Sequence, residues 1–228
     1  MKSFRVNSIF YTLQGEGHNT GRAAVFVRFA GCNLRCPFCD TEFDSFTEMT
    51  AEEILAKVVS LHSSSVPHLP LVVLTGGEPT LQVDEAFVGQ LHSAGYRVAM
   101  ESNGTRPAPA NLDWLTVSPK SLPLTEGKEP IGKEPDEIKI VYTGKEIETA
   151  LMSYESYGSY GSYESYGTHK SHETHKSHET HHPLLYLQPC DMGDPVRNAA
   201  IVQLCVDYIK QHPQWRLSLQ THKLIGIE

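Results

Sequence analysis

The sequence predicts an α/β fold built on a largely parallel sheet, and three observations carry that expectation. Short apolar runs recur along the chain, and most are continuous rather than alternating, as strands covered on both faces require. Helical patterns lie between some of these runs. Polar motifs rich in Gly, Pro, Ser and Asn stand where the runs end.

The first run is 23–29 (AAVFVRF), and a cysteine-bearing loop follows it directly. A helix is expected over 51–62, with Ile54, Leu55, Val58, Val59 and Leu61 as its apolar positions. Thr50 and Glu53 have the spacing of a capping box at its start. The second run, 71–75, ends in Gly76-Gly77-Glu78-Pro79. A helix over 84–94 comes next, with Gly95 as its stop signal. The third run, 97–101, ends in Glu101-Ser102-Asn103-Gly104, and the fourth, 114–118, in Ser118-Pro119-Lys120. A fifth run covers 137–142. The sixth, 184–187, leads into Gln188-Pro189-Cys190-Asp191. Asp194 and Pro195 suit the cap and first turn of a helix over 194–211. The last run, 215–219, is followed by Gln220-Thr221-His222-Lys223. Ligands of parallel α/β folds collect at the C-terminal ends of strands, so five polar motifs at five such ends point to one shared site. Taken singly, each could equally be turn chemistry.

Residues 153–182 depart from this pattern. They repeat in triplets of Ser or Thr, then Tyr or His, then a variable residue, with six of the twelve histidines of the chain. A period of three suits neither strand nor α-helix, and no aliphatic residue anchors the segment. It is expected to be a low-complexity, disordered loop insertion within a single domain spanning 1–228.

The chain of 228 residues carries a formal charge of −8, which argues against a broad basic footprint for nucleic acid. No apolar run approaches the length of a membrane span, and the first residues lack the pattern of a signal peptide. The expectation is a cytoplasmic protein with a small-molecule substrate, no nucleic acid and no membrane partner.

Of five cysteines, Cys32, Cys36 and Cys39 fall in a C-x-x-x-C-x-x-C loop, while Cys190 and Cys205 stand far away. In a reducing compartment such a group reads as a metal site. Zinc would need a fourth ligand, which Cys190 or Cys205 could bring from a distance. A [4Fe–4S] cluster held by three thiolates would keep one iron open for a small molecule. Cys205, beside Leu204 and Val206, reads as a packed small hydrophobe.

This spacing resembles that of the radical S-adenosylmethionine superfamily, in which a one-electron cleavage of the sulfonium yields a radical that abstracts a substrate hydrogen. The resemblance sharpens over Phe10 to Gly17 (FYTLQGEG), Cys39-Asp40-Thr41, Thr75 to Pro79 (TGGEP), Glu101 to Gly104 (ESNG), Ser118-Pro119-Lys120, Gln188-Pro189 and Arg216 to Lys223 (RLSLQTHK). Together these look like the 7-carboxy-7-deazaguanine synthase family, over nearly the whole chain apart from 153–182. That resemblance implies a compact, incomplete (β/α) barrel. It implies a lyase that converts 6-carboxy-5,6,7,8-tetrahydropterin to 7-carboxy-7-deazaguanine with release of ammonia, on the route to queuosine and other 7-deazapurines.

The same resemblance implies site residues. Cys32, Cys36 and Cys39 would bind the [4Fe–4S] cluster. Phe38, Cys39, Asp40, Gly77, Ser118, Pro119, Lys120, Gln188, Pro189, Cys190 and Asp191 would contact S-adenosylmethionine, with Glu101 and Ser102 as further candidates. Leu13, Gln14, Gly15, Arg28, Thr75 and His222 would hold the pterin, together with the terminal carboxylate at Glu228. Thr41 would ligate Mg²⁺. A homodimer and an external one-electron reductant such as flavodoxin or ferredoxin are also implied. Without the family, Arg28 could be a surface charge, Thr41 a locally bonded hydroxyl, and His222 a satisfied half-buried imidazole. Two alternatives share the cysteine spacing: a glycyl-radical activating enzyme and a non-catalytic zinc-binding module.

Overall fold

A computed structural model describes residues 2–39, 42, 45–62, 68–120, 132–144 and 182–227. The repeat at 153–181 therefore lies outside the described residues, as do Asp40, Thr41 and Glu228.

The strands are β1 (Ser3–Leu13), β2 (Ala23–Phe29), β3 (Thr47–Thr50), β4 (Leu71–Gly76), β5 (Val98–Ser102), β6 (Trp114–Val117), β7 (Glu137–Tyr142), β8 (Leu184–Pro189) and β9 (Trp215–Leu217). They form one sheet in the order β3-β1-β2-β4-β5-β6-β7-β8-β9. The seven strands expected from the sequence are the parallel ones, β2 and β4 to β9. Its edge strands, β3 and β9, are not neighbours, so the curved sheet is an unclosed barrel.

Two strands escaped the sequence reading. In β1, Phe4 and Val6 face the core while Ser3 and Arg5 are exposed, so the apolar signal alternates and is diluted by polar residues. It pairs antiparallel with β2, from Val6↔Phe29 to Leu13↔Ala23. Strand β3 has only four residues, TEMT, and is recruited by antiparallel pairing with β1. A sheet edge can hold such a segment because only one flank needs a partner.

Helix α1 (Ala51–Ser60) opens on the expected capping box, with Glu53 N donating to Thr50 Oγ1 at 3.3 Å and Thr50 N to Glu53 Oε2 at 2.8 Å. It ends two residues before the predicted stop at 62. Helix α2 (Glu85–Ser93) is capped by Asp84, and Gly95 takes the left-handed conformation just beyond it. Helix α3 (Pro195–Gln211) is capped by Asp194 with Pro195 in its first turn. A short α4 (Thr221–Ile225) was not expected.

The parallel strands are buried on both faces, but the two faces differ in chemistry. One face packs against the helices. Phe29, Leu74, Met100 and Leu115 join Ile54, Val58, Phe87 and Leu91 in one cluster. Ile138, Ile140, Leu185 and Leu187 join Ile201, Cys205 and Trp215 in another. Burying a side chain such as Leu74 contributes about 1.5–3 kcal/mol. The alternate positions, Phe26, Arg28, Thr75, Glu101, Lys139 and Gln188, face a cavity on the concave side. Cys205 is the packed hydrophobe expected, fully buried with its thiol pushed up to about 12 by desolvation.

Candidate active site

The cavity has a volume of about 480 Å³ and lies between two loops at opposite ends of the sheet. One loop, residues 30–39, leaves β2 where the parallel strands finish. The other, 14–22, joins β1 to β2 where they begin. It is closed by Gln14 N to Arg22 O and Gly21 N to Gln14 O, both 2.8 Å. This second loop folds inward. Gly17 N donates to Ser218 Oγ at 3.0 Å, His18 N to Glu137 Oε2 at 2.9 Å, and the His18 ring stacks on Trp114 at 4.6 Å.

The cysteine loop is seated by a close approach of backbones. Glu78 N donates to Gly31 O and Gly77 N to Phe29 O, each at 2.9 Å. A Cβ on Gly77 would land on the Gly31 carbonyl, so only glycine lets the two turns lie flush. Cys32, Cys36 and Cys39 all line the cavity. Burial pushes the Cys36 thiol up, Cys39 and Cys32 add to the rise, and Lys120 opposes it. Among the described residues, no three His, Cys, Asp or Glu side chains converge on a point fit for a single metal ion. A four-iron cube makes a different demand, because its thiolates attach to separate irons. Three thiols spread along one tight loop and facing one cavity fit that group.

Beneath them, Lys120 Nζ donates to Ser118 Oγ at 2.7 Å and lies 5.9 Å from the Phe38 ring centroid. Burial, and then the Lys139 charge, push the Lys120 ammonium down. Gly77, Ser118, Gln188, Cys190 and Asp191 line the same space, whereas Pro119 and Pro189 do not. Asp191 is tied on three sides, by Gly193 N at 3.0 Å, Asn198 Nδ2 at 2.8 Å and Lys223 Nζ at 3.2 Å, which hold its carboxyl down at about 2.

The two ends of the chain meet at the other loop. Thr221 N and Thr221 Oγ1 donate to Gly15 O at 3.0 and 2.9 Å, and Gln220 Nε2 to Glu16 Oε1 at 3.0 Å. A Cβ on Gly15 would strike the His222 imidazole, so glycine lets His222 reach the cavity. Leu13, Gln14, Gly15, Arg28, Thr75 and His222, the residues that the resemblance assigns to the pterin, all line it. Arg28 lies 4.7 Å from the Phe10 ring centroid, and Phe10 stacks on Phe26 at 5.3 Å. Among the described residues, no carboxylate pairs with Arg28, so its guanidinium is open to an anion in the cavity.

Sequence reasoning missed a buried charge network. Lys139 Nζ donates to Glu16 Oε2 at 2.7 Å and to Glu101 Oε2 at 3.0 Å, and Gln14 Nε2 donates to Glu101 Oε1 at 3.2 Å. Burial works against the Lys139 charge, but Glu101, Glu16 and Glu137 raise its pKa well above the ordinary range. Burial also disfavours the Glu16 anion, yet Lys139, Gln220 and His222 together bring it down to about 2. Glu101 is instead pushed up, by burial and by Glu16, despite its contact with Lys139. Glu137 rises to about 7 through burial and the Glu101 charge, and its Oε1 has no hydrogen-bond partner. The missed signal was period two: Glu137 and Lys139 alternate with Ile138 and Ile140 in a strand that is buried throughout that stretch.

Residues 26–138 match the Radical SAM superfamily. The chain is 42% identical over 224 residues to the 7-carboxy-7-deazaguanine synthase of Bacteroides thetaiotaomicron, covering 98% of each. It is 36% identical to the protein of the same name from Caulobacter vibrioides, covering 99% of each. The crystal structure of QueE from Escherichia coli aligns with a TM-score of 0.67 at 24% identity, over 95% of this chain and 93% of that one, and shares its fold.

Proposed function

The chain belongs to the 7-carboxy-7-deazaguanine synthase family of radical S-adenosylmethionine enzymes, and from that premise we propose that it converts 6-carboxy-5,6,7,8-tetrahydropterin to 7-carboxy-7-deazaguanine with release of ammonia. One observation carries the reading: the loop bearing Gln14 and Glu16 and the segment bearing Gln220 and His222 are bonded together against the same cavity that receives the three cysteines. A site for a small heterocycle is thereby set next to a site for a cluster.

Cys32, Cys36 and Cys39 would hold the [4Fe–4S] cluster. Phe38, Gly77, Ser118, Lys120, Gln188, Cys190 and Asp191 would hold S-adenosylmethionine. When bound, the two supply the one-electron chemistry that opens a C–H bond of the substrate. Arg28 offers a planar two-donor fork to the substrate carboxylate. Gln14 and His222 present polar edges to the ring system, while Phe10 and Phe26 give it an apolar wall. Lys139 keeps Glu16 anionic and fixed, so that the cavity floor does not rearrange when substrate arrives.

Further parts of the proposal rest on the family resemblance. These are Mg²⁺ at Thr41 with oxygen ligands from substrate and water, a substrate contact from Glu228, a homodimer, flavodoxin or ferredoxin as electron donor, and a cytoplasmic location. No helix among the described residues is long and apolar enough to cross a membrane. We also read the chain as one domain carrying the 153–182 repeat as an insertion.

The test is anaerobic turnover of the pterin with S-adenosylmethionine and a reductant. Formation of the deazaguanine supports the reading, and its absence from protein with a full cluster refutes it. About four iron and four sulfide per chain are expected after reconstitution. One zinc without sulfide would instead mark a zinc-binding module.

A further inference from the structure

The cluster loop is held by a side-chain ring that the proposed function does not use. Asn103, at the end of β5, is buried. Its backbone N–H donates to Glu78 Oε2 at 2.7 Å, and Ser102 Oγ donates to Glu78 Oε1 at 2.9 Å. Glu78 is fully buried, so this end of the strand is pinned from below.

The orientation of the Asn103 amide is fixed by its neighbours. Thr105 N donates to Asn103 Oδ1 at 3.0 Å, and Thr105 Oγ1 donates to the same oxygen at 2.7 Å. A backbone N–H can only donate, so the carbonyl must face Thr105 and the amino group must face the other way. There, Asn103 Nδ2 donates to Asn33 Oδ1 at 3.0 Å. Asn33 Nδ2 in turn donates to Thr105 Oγ1 at 2.7 Å, which closes the ring. A primary amide has two N–H bonds. One is used by Asn33, and the other points to Cys32 Sγ at 3.9 Å. Leu34 N is a second donor to that sulfur at 3.4 Å.

We propose that Asn103, locked by Asn33 and Thr105, donates an N–H to the Cys32 thiolate and so raises the reduction potential of the cluster. The proposal rests on the assignment of Cys32 as a cluster ligand. Reduction adds negative charge that is shared with the coordinating sulfurs, so a donor to one of them stabilises the reduced form more than the oxidised one. Locking matters because an amide free to turn would present its carbonyl oxygen to the thiolate for part of the time. Asn103 is a positioning and tuning residue; it does not touch substrate.

The test is a potentiometric titration of the reconstituted cluster, followed by the paramagnetic resonance signal of its reduced form, in wild type, Asn103→Ala and Thr105→Val. Iron and sulfide are counted in each. Asn103→Ala is expected to lower the reduction equilibrium constant about tenfold, which for a one-electron couple is about 59 mV more negative. Thr105→Val removes the hydroxyl that donates to Asn103 Oδ1 and accepts from Asn33 Nδ2. The backbone N–H still holds the carbonyl, so the ring is loosened rather than opened and the potential should move in the same direction by less. Loaded variants with the wild-type potential, or a more positive one, overturn the proposal. Should Asn103→Ala fail to assemble a cluster, Thr105→Val decides alone: a negative shift supports the role and an unchanged potential overturns it. Wild type without iron and sulfide would overturn the cluster assignment itself, and this proposal with it. A loaded wild type beside unshifted variants overturns only the role of Asn103.

Discussion

Replacing Lys139 by Met removes the ammonium that Glu16 and Glu101 share. The Lys139 side chain is 5% exposed and both carboxylates are 20% exposed, so water replaces little of what is lost. Removing one member of a buried ion pair costs about 3–5 kcal/mol, because the partner is left charged and unpaired. The Glu16 carboxyl gives a second route to the magnitude. It moves from an ordinary 4.5 to about 2, and at 1.36 kcal/mol per unit that is about 3 kcal/mol. For a chain of this size each kcal/mol lowers Tm by about 2–4 °C, so Lys139→Met should melt about 6–20 °C below wild type at neutral pH. The assay is thermal unfolding of the anaerobic, cluster-loaded protein followed by circular dichroism. The sign with pH is fixed as well. A depressed carboxyl contributes stability that is present above its unfolded value and lost as pH falls towards its folded value. The gap between wild type and variant should therefore narrow below about pH 4.5. The double variant Lys139→Met/Glu16→Gln should recover part of the loss, since it removes one of the two carboxylates left without a cation. A single variant melting within about 2 °C of wild type, or a double variant no better than the single, would refute the picture of a cation holding the cavity floor.

Glu137 provides the opposite sign. Its carboxyl is raised to about 7, so the wild type loses stability as pH rises from the ordinary carboxylate range through that value. Glu137→Gln, which keeps an acceptor for His18 N, should gain on wild type over that window, by up to about 3 kcal/mol; a Tm difference flat with pH would show that the carboxyl is already ionised. Arg28→Lys keeps the charge but loses the fork, and should raise KM for the pterin about ten- to a hundredfold with little change in kcat; a matching fall in kcat alone would place Arg28 elsewhere in the reaction. Gly15→Ala drives a methyl group into the His222 ring. Iron content should be unchanged while turnover falls about a hundredfold, the scale of a misplaced binding group. Full activity would show that His222 is free to move.

The seven parallel strands and the three long helices were legible because their signals are local. Apolar runs, the Thr50 and Glu53 box, and the Asp84 and Asp194 caps each act within a few residues. The cysteine loop was legible for the same reason, since its three thiols are fixed by spacing alone. Strands β1 and β3 were not, because each is stabilised by pairing at an edge rather than by its own composition. The residues that family resemblance assigned to the pterin, Glu228 apart, line one cavity that no local rule would have assembled.

By itself, then, the sequence determined a parallel α/β sheet, a loop able to present three thiolates, and polar motifs at the strand ends. Only the tertiary structure decided which face of each strand would meet the helices and which the cavity. That choice turns Lys139 from a polar residue in a buried strand into part of the charged floor of a site. It also closed Asn33, Thr105 and Asn103 into a ring beside Cys32. The physical reason is distance along the chain. Burial and hydrogen bonding act over a few ångströms in space, and Glu16 and Gln220 or Cys32 and Asn103 become neighbours only after the sheet has curved.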